Sequence, residues 1–269
     1  MLICVDVGNS NINFGLFKED ELVCTFKFSC AEITSIKKMY DNFILALNEY
    51  GLLLYDMEFA MISSANENFS NILKEFCKKI NVECYFVDYN SPLGLENKFY
   101  YKEDLGPDLF IECYEASKKY PLPLGVVDLG TTYNIILVNE NREIEGGITY
   151  GGLLSAYKAS KINSTSFLRF SPISDPNIIG KRISECLQSG ILYGSVYAIN
   201  NMISLIREEK HYEYMNVVIS GGLAQYVYQY IDGAIYYENL LLEGLKDIYQ
   251  DIGKKLYLRT KDNRMISND

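Results

Sequence analysis

Apolar residues along this chain fall into short runs with two distinct spacings. Residues 1–8, 12–17 and 22–28 (INFGLF and LVCTFKF for the latter two) are apolar-rich stretches separated by polar turns at 9–11 and 18–21. Runs of this length, bounded by Gly, Asn and Asp, predict a three-stranded meander. Spacings of three and four then take over in IKKMYDNFILALNEYG (36–51) and FSNILKEFCKKI (69–80), which predict helices. MEFAMISS (57–64) is a short apolar stretch between them, and VECYFVD (82–88) reads as a strand. LFIECYEASKKY (109–120) again has helical periodicity, preceded by Pro107 and Asp108.

The second half writes the same order again. GVVDLG and NIILVN predict strand, turn and strand, REIEGGIT adds a third strand, and helices are expected at 152–160 and 183–209. NVVIS (216–220) reads as a buried strand, LLEGLKDIYQDIGKKL (241–256) as a closing helix, and KDNRMISND (261–269) as a frayed tail. Two meander-plus-helix units in tandem indicate an internal duplication, divided near the proline-bearing YPLPLG at 120–125. The expected halves are 1–119 and 120–262, followed by the tail at 263–269.

The duplication reaches the turns. VDVGNSN (5–11) and VDLGTTYN (127–134) each place an Asp near the end of a buried strand, before Gly and small polar residues. Such a hairpin sets backbone N–H groups and one carboxylate at the same edge, a combination suited to phosphate oxygens and their cation. A single copy reads equally well as a polar hairpin. Two copies at matching places predict turns that grip one polyphosphate from opposite sides of a cleft. VVISGGLA (217–224) is a third such element, a strand running into Ser220, Gly221 and Gly222 where a base can lie against bare backbone.

Composition narrows the classes. With 48% apolar and 22% charged residues in 269, the chain has the make-up of a globular protein, and its formal charge of -10 argues against nucleic-acid backbones and anionic membranes as partners. Seven scattered cysteines without a C-x-x-C pair, no secretory pattern at the start, and no run of 18 apolar residues predict a cytoplasmic location. His211 is the only histidine and lies in the polar stretch REEKHYEYMN, which disfavours a Ser-His-Asp triad or a histidine metal site.

D-x-G-N-S near the start, D-L-G-T-T in mid-chain and S-G-G-L-A late in the chain resemble, in that order, the two phosphate motifs and the adenosine motif of the actin, sugar-kinase and Hsp70 superfamily. Within it the chain is most similar to type III pantothenate kinases, through DVGNSNINFGLF, MISSANE, GPDL, VVDLGTTYN, GGITYGG, IIGKRISECLQSGILYG, VVISGGLA and LLLEGLKDIY. The resemblance implies an α/β fold of two tandem ribonuclease H-like (actin-like ATPase) domains with an interdomain nucleotide cleft, and a homodimer. It implies ATP-dependent phosphorylation of pantothenate, the first step of coenzyme A synthesis, with Mg²⁺ and a monovalent cation (K⁺ or NH₄⁺).

Carried over by position, Asp6, Val7, Gly8, Asn9, Ser10, Asn11, Ile12 and Asn13 line the ATP phosphates, with Asp6 serving Mg²⁺. Asp128 binds K⁺, and Thr131, Gly221 and Gly222 contact ATP. Gly106, Pro107, Asp108, Leu109, Tyr100 and Ile183 belong to the acceptor site, with Asp108 as the catalytic base. Its place at a helix N-terminus favours the ionised form and predicts a weak base. Three positions depart from the family pattern: Leu109 replaces an arginine, Ile183 a threonine, and Tyr133 a small hydroxyl residue. These leave open a nucleotide-binding homologue without turnover, or a kinase for another small hydroxylated acceptor.

Overall fold

The computed structural model describes residues 1–152, 155 and 176–253. Strands β1 (Leu2–Val7), β2 (Asn11–Lys18) and β3 (Glu21–Ser29) form the expected antiparallel meander. Helix α1 (Ile36–Glu49) starts where the Ser35 hydroxyl accepts the Lys38 N–H at 3.2 Å. Helix α2 (Glu67–Lys79) is capped in the same way by Asn66, so it begins two residues before the apolar periodicity does. The stretch MEFAMISS supplies β4 (Phe59–Ser64), and β5 is Glu83–Phe86. The resulting sheet has the order β3-β2-β1-β4-β5, with β4 parallel to both β1 and β5.

The second sheet repeats this plan. Strands β7 (Leu124–Leu129), β8 (Thr132–Val138) and β9 (Glu143–Gly151) make an antiparallel meander, while β10 (Asn216–Ser220) and β11 (Ala234–Tyr236) continue in parallel from β7. Its order is β11-β10-β7-β8-β9-β6, where the two-residue β6 (Glu96–Asn97) pairs parallel to β9. Apart from that edge, the two sheets share one topology. The expected α/β class with two meander-plus-helix units is therefore the one adopted.

Each sheet has its own core. Ile3, Val5 and Val7 alternate along β1 to meet Met39, Phe43 and Leu47 of α1 and Leu73 and Phe76 of α2. In the second sheet, Val127, Leu129, Tyr133, Ile135, Val217 and Ile219 are gathered with Ile191, Ile199 and Ile203 of α4 (Ile183–Lys210). Period-two alternation puts Asp6 and Asp128 on the opposite faces of β1 and β7 from these residues. Both strands show the same burial, every residue buried except that aspartate.

The chain divides into two compact units: Met1–Leu95 with Tyr100–Glu115 and the stretch from Leu240 onward, and Glu96–Phe99 with Ala116–Asn239. The dividing point falls inside α3 (Pro107–Lys119). Helix α6 (Leu240–Ile248) packs on β1, β2 and β4 of the first unit and continues as a π-helical turn over Tyr249–Gly253. A four-residue helix α5 (Ala224–Val227) follows β10. The tyrosines around it form a core edge: Tyr226, Tyr230 and Tyr236 pack on the second core, and the rings of Tyr228 and Tyr236 stack at 5.0 Å. The expected helix at 152–160 lies outside the described residues apart from Gly152 and Ser155, as do the end of the closing helix and the tail.

Candidate active site

Asp6 is held by its neighbours on both sides in the sheet. Asn13 lies opposite on β2 and donates its amide Nδ2–H to Asp6 Oδ2 at 3.0 Å, and Ser63, 1% exposed, is the parallel partner on β4. Between Val7 and Ile12, both buried, the chain turns through exposed Asn9, Ser10 and Asn11, closed by the Gly8 N–H donating to Asn11 O at 3.0 Å. The Cys30 N–H donates to Ser10 O at 2.9 Å, tying the end of β3 to the turn. The turn thus presents polar groups to solvent beside a carboxylate sunk behind it.

Burial pushes the Asp6 carboxyl up to about 7; the Asn13 amide opposes this, the Asp108 carboxylate adds to it, and the Ser63 hydroxyl opposes it. Asp108 comes from the same unit. It lies in the first turn of α3, after Gly106, whose carbonyl accepts the Phe110 N–H at 3.0 Å. The Asp108 side chain folds back over Gly106 so closely that a Cβ there would stand 2.3 Å from Oδ1. The dipole argument for a weak base is corrected here. Burial raises the Asp108 carboxyl above the ordinary carboxylate range and outweighs the N–H groups of Leu109 and Asp108 that lower it.

The second unit builds the same constellation. Asp128 lies opposite Asn134 on β8 and beside Ser220, 3% exposed, on β10, and Asn134 Nδ2–H donates to Asp128 Oδ2 at 3.3 Å. Asp, Asn and Ser therefore occupy the same three register positions in both sheets. The Gly130 N–H donates to Thr132 O at 3.1 Å to close a turn that leaves Thr131 and Thr132 exposed. Gly221 takes φ +100, and a Cβ there would meet Asp128 Oδ1 and the Leu129 N at 2.6 Å. Gly222 beyond it is exposed.

The departures from the family pattern have distinct placements. Tyr133 does not crowd the turn: it is 1% exposed, faces the core of its unit, and lies 5.8 Å from the Tyr150 ring. Leu109 and Pro107 are half-buried at the start of α3. Ile183 is 69% exposed at the first position of α4, and Tyr100 is fully exposed. Asp6, Asn13 and Asp108 are brought together within the first unit; Asp128, Asn134, Ser220 and Gly221 are brought together within the second. Ser63 and Asn134 were not singled out from the sequence, and Ser220 was named only as part of the turn after its strand. The signal of Ser63 and Asn134 is a polar residue that ends or faces an apolar run, which any surface-bound strand end also shows.

The hard-oxygen donors suit magnesium. The Asp108 carboxylate adds to the cost of ionising Asp6, and a divalent cation beside them offsets that cost. Among the described residues no cluster of three or more His, Cys, Asp or Glu side chains forms. His211 is exposed and caps α4 in the left-handed conformation.

Comparison with known proteins bears on this geometry. The family model for type III pantothenate kinase matches residues 2–205. A type III pantothenate kinase from Finegoldia magna is 28% identical over 262 residues, covering 94% of this chain and 98% of that protein. A Campylobacter jejuni structure assigned provisionally to the Baf family of transcriptional activators superposes with a TM-score of 0.62 at 21% identity, covering 94% of this chain and 99% of that one. A Listeria monocytogenes protein described provisionally as an N-acetylmannosamine kinase gives a TM-score of 0.53 at 12% identity, with 93% and 98% covered. The last two likenesses establish a shared fold. With its model spanning three quarters of the sequence, this chain belongs to the type III pantothenate kinase family.

Proposed function

We propose that this protein transfers the γ-phosphoryl group of ATP to the primary hydroxyl of pantothenate, opening coenzyme A synthesis. The observation that carries the reading is the Asp6–Asp108 pair, two carboxylates of one unit in electrostatic contact beside a polar turn. Asp6 and the turn through Asn13 serve the ATP phosphates, Asp6 serves Mg²⁺, and Thr131, Gly221 and Gly222 serve ATP. Bound Mg²⁺ supplies charge neutralisation on the phosphates. Asp108 orients the acceptor hydroxyl and takes its proton, and its raised affinity for protons makes it the better base. Phosphoryl transfer is loose and needs little proton abstraction early, so alignment by Asp108 matters at least as much as basicity.

The finer assignments belong to the same proposal. Asp128 holds the monovalent cation, K⁺ or NH₄⁺; Gly106, Pro107, Leu109, Tyr100 and Ile183 meet the acceptor; and the protein works as a cytoplasmic homodimer. Residues 1–119 and 120–262 are the units of duplication along the chain, whatever the packing of α6. Among the described residues no helix is long and apolar enough to cross a membrane.

A coupled assay for ADP release with Mg²⁺, K⁺ and a panel of small hydroxylated acceptors tests the reading. Pantothenate is expected to stimulate ADP release, and Asp108→Asn to lower turnover by roughly a hundredfold or more. Leu109 and the exposed Ile183 favour a second reading, a nucleotide-binding homologue without turnover. It is established instead if ATP raises the melting temperature while no acceptor stimulates ADP release. Release driven by a different acceptor reassigns the substrate and keeps the phosphoryl transfer.

A further inference from the structure

The contacts of Asn134 give it a defined task. Its Nδ2–H donates to Asp128 Oδ2 at 3.3 Å and lies 3.5 Å from Thr132 Oγ1, while its Oδ1 accepts from Thr149 Oγ1 at 2.9 Å. An ionised carboxylate only accepts hydrogen bonds, so the amide must turn its nitrogen toward Asp128 and its oxygen toward β9. There the Thr149 hydroxyl, directly across in the register, meets that oxygen. Asn134 is 8% exposed, so a flipped or unpaired amide has little water to turn to.

The other Asp128 oxygen faces the Gly221 backbone, where a Cβ would come to 2.6 Å. One oxygen is therefore tied to the amide while the second lies against the exposed glycine turn. The first unit holds Asp6 in the same way, through Asn13 at the same register position and without a threonine bond to the amide among the described contacts. Tyr133 turning into the core is what places the next residue, Asn134, on the Asp128 face.

We propose that Asn134, braced by Thr149, is a positioning residue that sets the rotation of the Asp128 carboxylate for ligand binding, repeating in the second unit the hold of Asn13 on Asp6. This rests on Asp128 being a ligand-binding carboxylate, as in the proposed function.

The test compares wild type, Asn134→Leu, Thr149→Val, Thr149→Ser and the Asn134→Leu/Thr149→Val double variant. Two readouts are taken: the rise in melting temperature with Mg-ATP and K⁺, which needs no turnover, and kcat and KM for ATP. Asn134→Leu is expected to weaken apparent ATP binding by about ten- to a hundredfold, the scale of a hydrogen bond to a charged group. Thr149→Val is expected to weaken it about threefold, Thr149→Ser to restore it, and the double variant to match Asn134→Leu, because Thr149 acts only through the amide. Multiplying effects, a Thr149→Ser variant no better than Thr149→Val, or Asn134→Leu binding ATP like wild type would overturn the inference. If Asn134→Leu fails to fold, the exposed Thr149 pair decides alone. Absence of any ATP effect in wild type sinks the reading of the site itself, a different result from all of these.

Discussion

Asp6 carries a charge that its surroundings resist, and the consequences run in a definite direction with pH. Burial pushes its carboxyl up to about 7 in the folded protein, against about 3.9 for an unfolded aspartate, so the folded protein holds a proton that the unfolded chain releases. Stability from this group is present at low pH and is lost as pH rises toward 7. Asp6→Asn should therefore gain on wild type between pH 4 and pH 8, by a few kcal/mol at most, since one unit is worth about 1.4 kcal/mol. Thermal unfolding without Mg²⁺ at the two pH values measures it, and an equal difference at both contradicts the assignment. Activity runs the other way. Both Asp6 and Asp108 must be ionised, so kcat/KM at limiting Mg²⁺ should fall on the acid side with an apparent pKa above the carboxylate range. Saturating Mg²⁺ should move that limb downward, and the values belong to the pair rather than to either residue.

At the scale of elements, the two acidic turns depend on backbone that tolerates no side chain. Gly221 sits at φ +100 with Asp128 and Leu129 packed against its Cα. Gly221→Ala should cost about 1–3 kcal/mol from the backbone alone, with more from the clash, and chemical denaturation reads it directly. Gly106→Ala differs, because the clash is with the Asp108 carboxylate rather than with backbone. It should leave the melting temperature close to wild type while lowering kcat about tenfold or more, as a displaced hydroxyl guide would. The strands of both meanders and the helices α1, α2, α3 and α4 were legible from local periodicity, reinforced by the caps Ser35 and Asn66 at α1 and α2. The parallel strand β11 was not: AIY is three residues of edge strand whose partner, β10, is set by tertiary packing. The packing of α6 on the first sheet was hidden for the same reason, since an amphipathic helix does not say which sheet its apolar face covers.

At the scale of the molecule, the repeated phrase in the sequence corresponds to a repeated arrangement of three side chains, Asp6–Asn13–Ser63 and Asp128–Asn134–Ser220. The aspartates were legible because each ends an apolar run before Gly. The serines were not, because they arrive from strands more than 50 residues away and acquire meaning only through parallel pairing. Asp108 was placed through family resemblance and its helix position, but its burial could not be read from GPDL. A formal charge of -10 sets a separate expectation: affinity for Mg-ATP should greatly exceed that for duplex DNA at physiological salt. Loss of ATP-induced stabilisation on chelating Mg²⁺ would agree with the carboxylate pair as the metal's protein donors.

The measurement that bears most directly on the whole account is mass-spectrometric detection of phosphorylated pantothenate, run in parallel on wild type and Asp108→Asn with Mg-ATP and K⁺. The account predicts product from wild type, a loss of roughly a hundredfold or more in the variant, and undiminished ATP-induced stabilisation in both. Product formed equally by the two proteins would contradict the role given to Asp108, and no product from wild type would contradict the function.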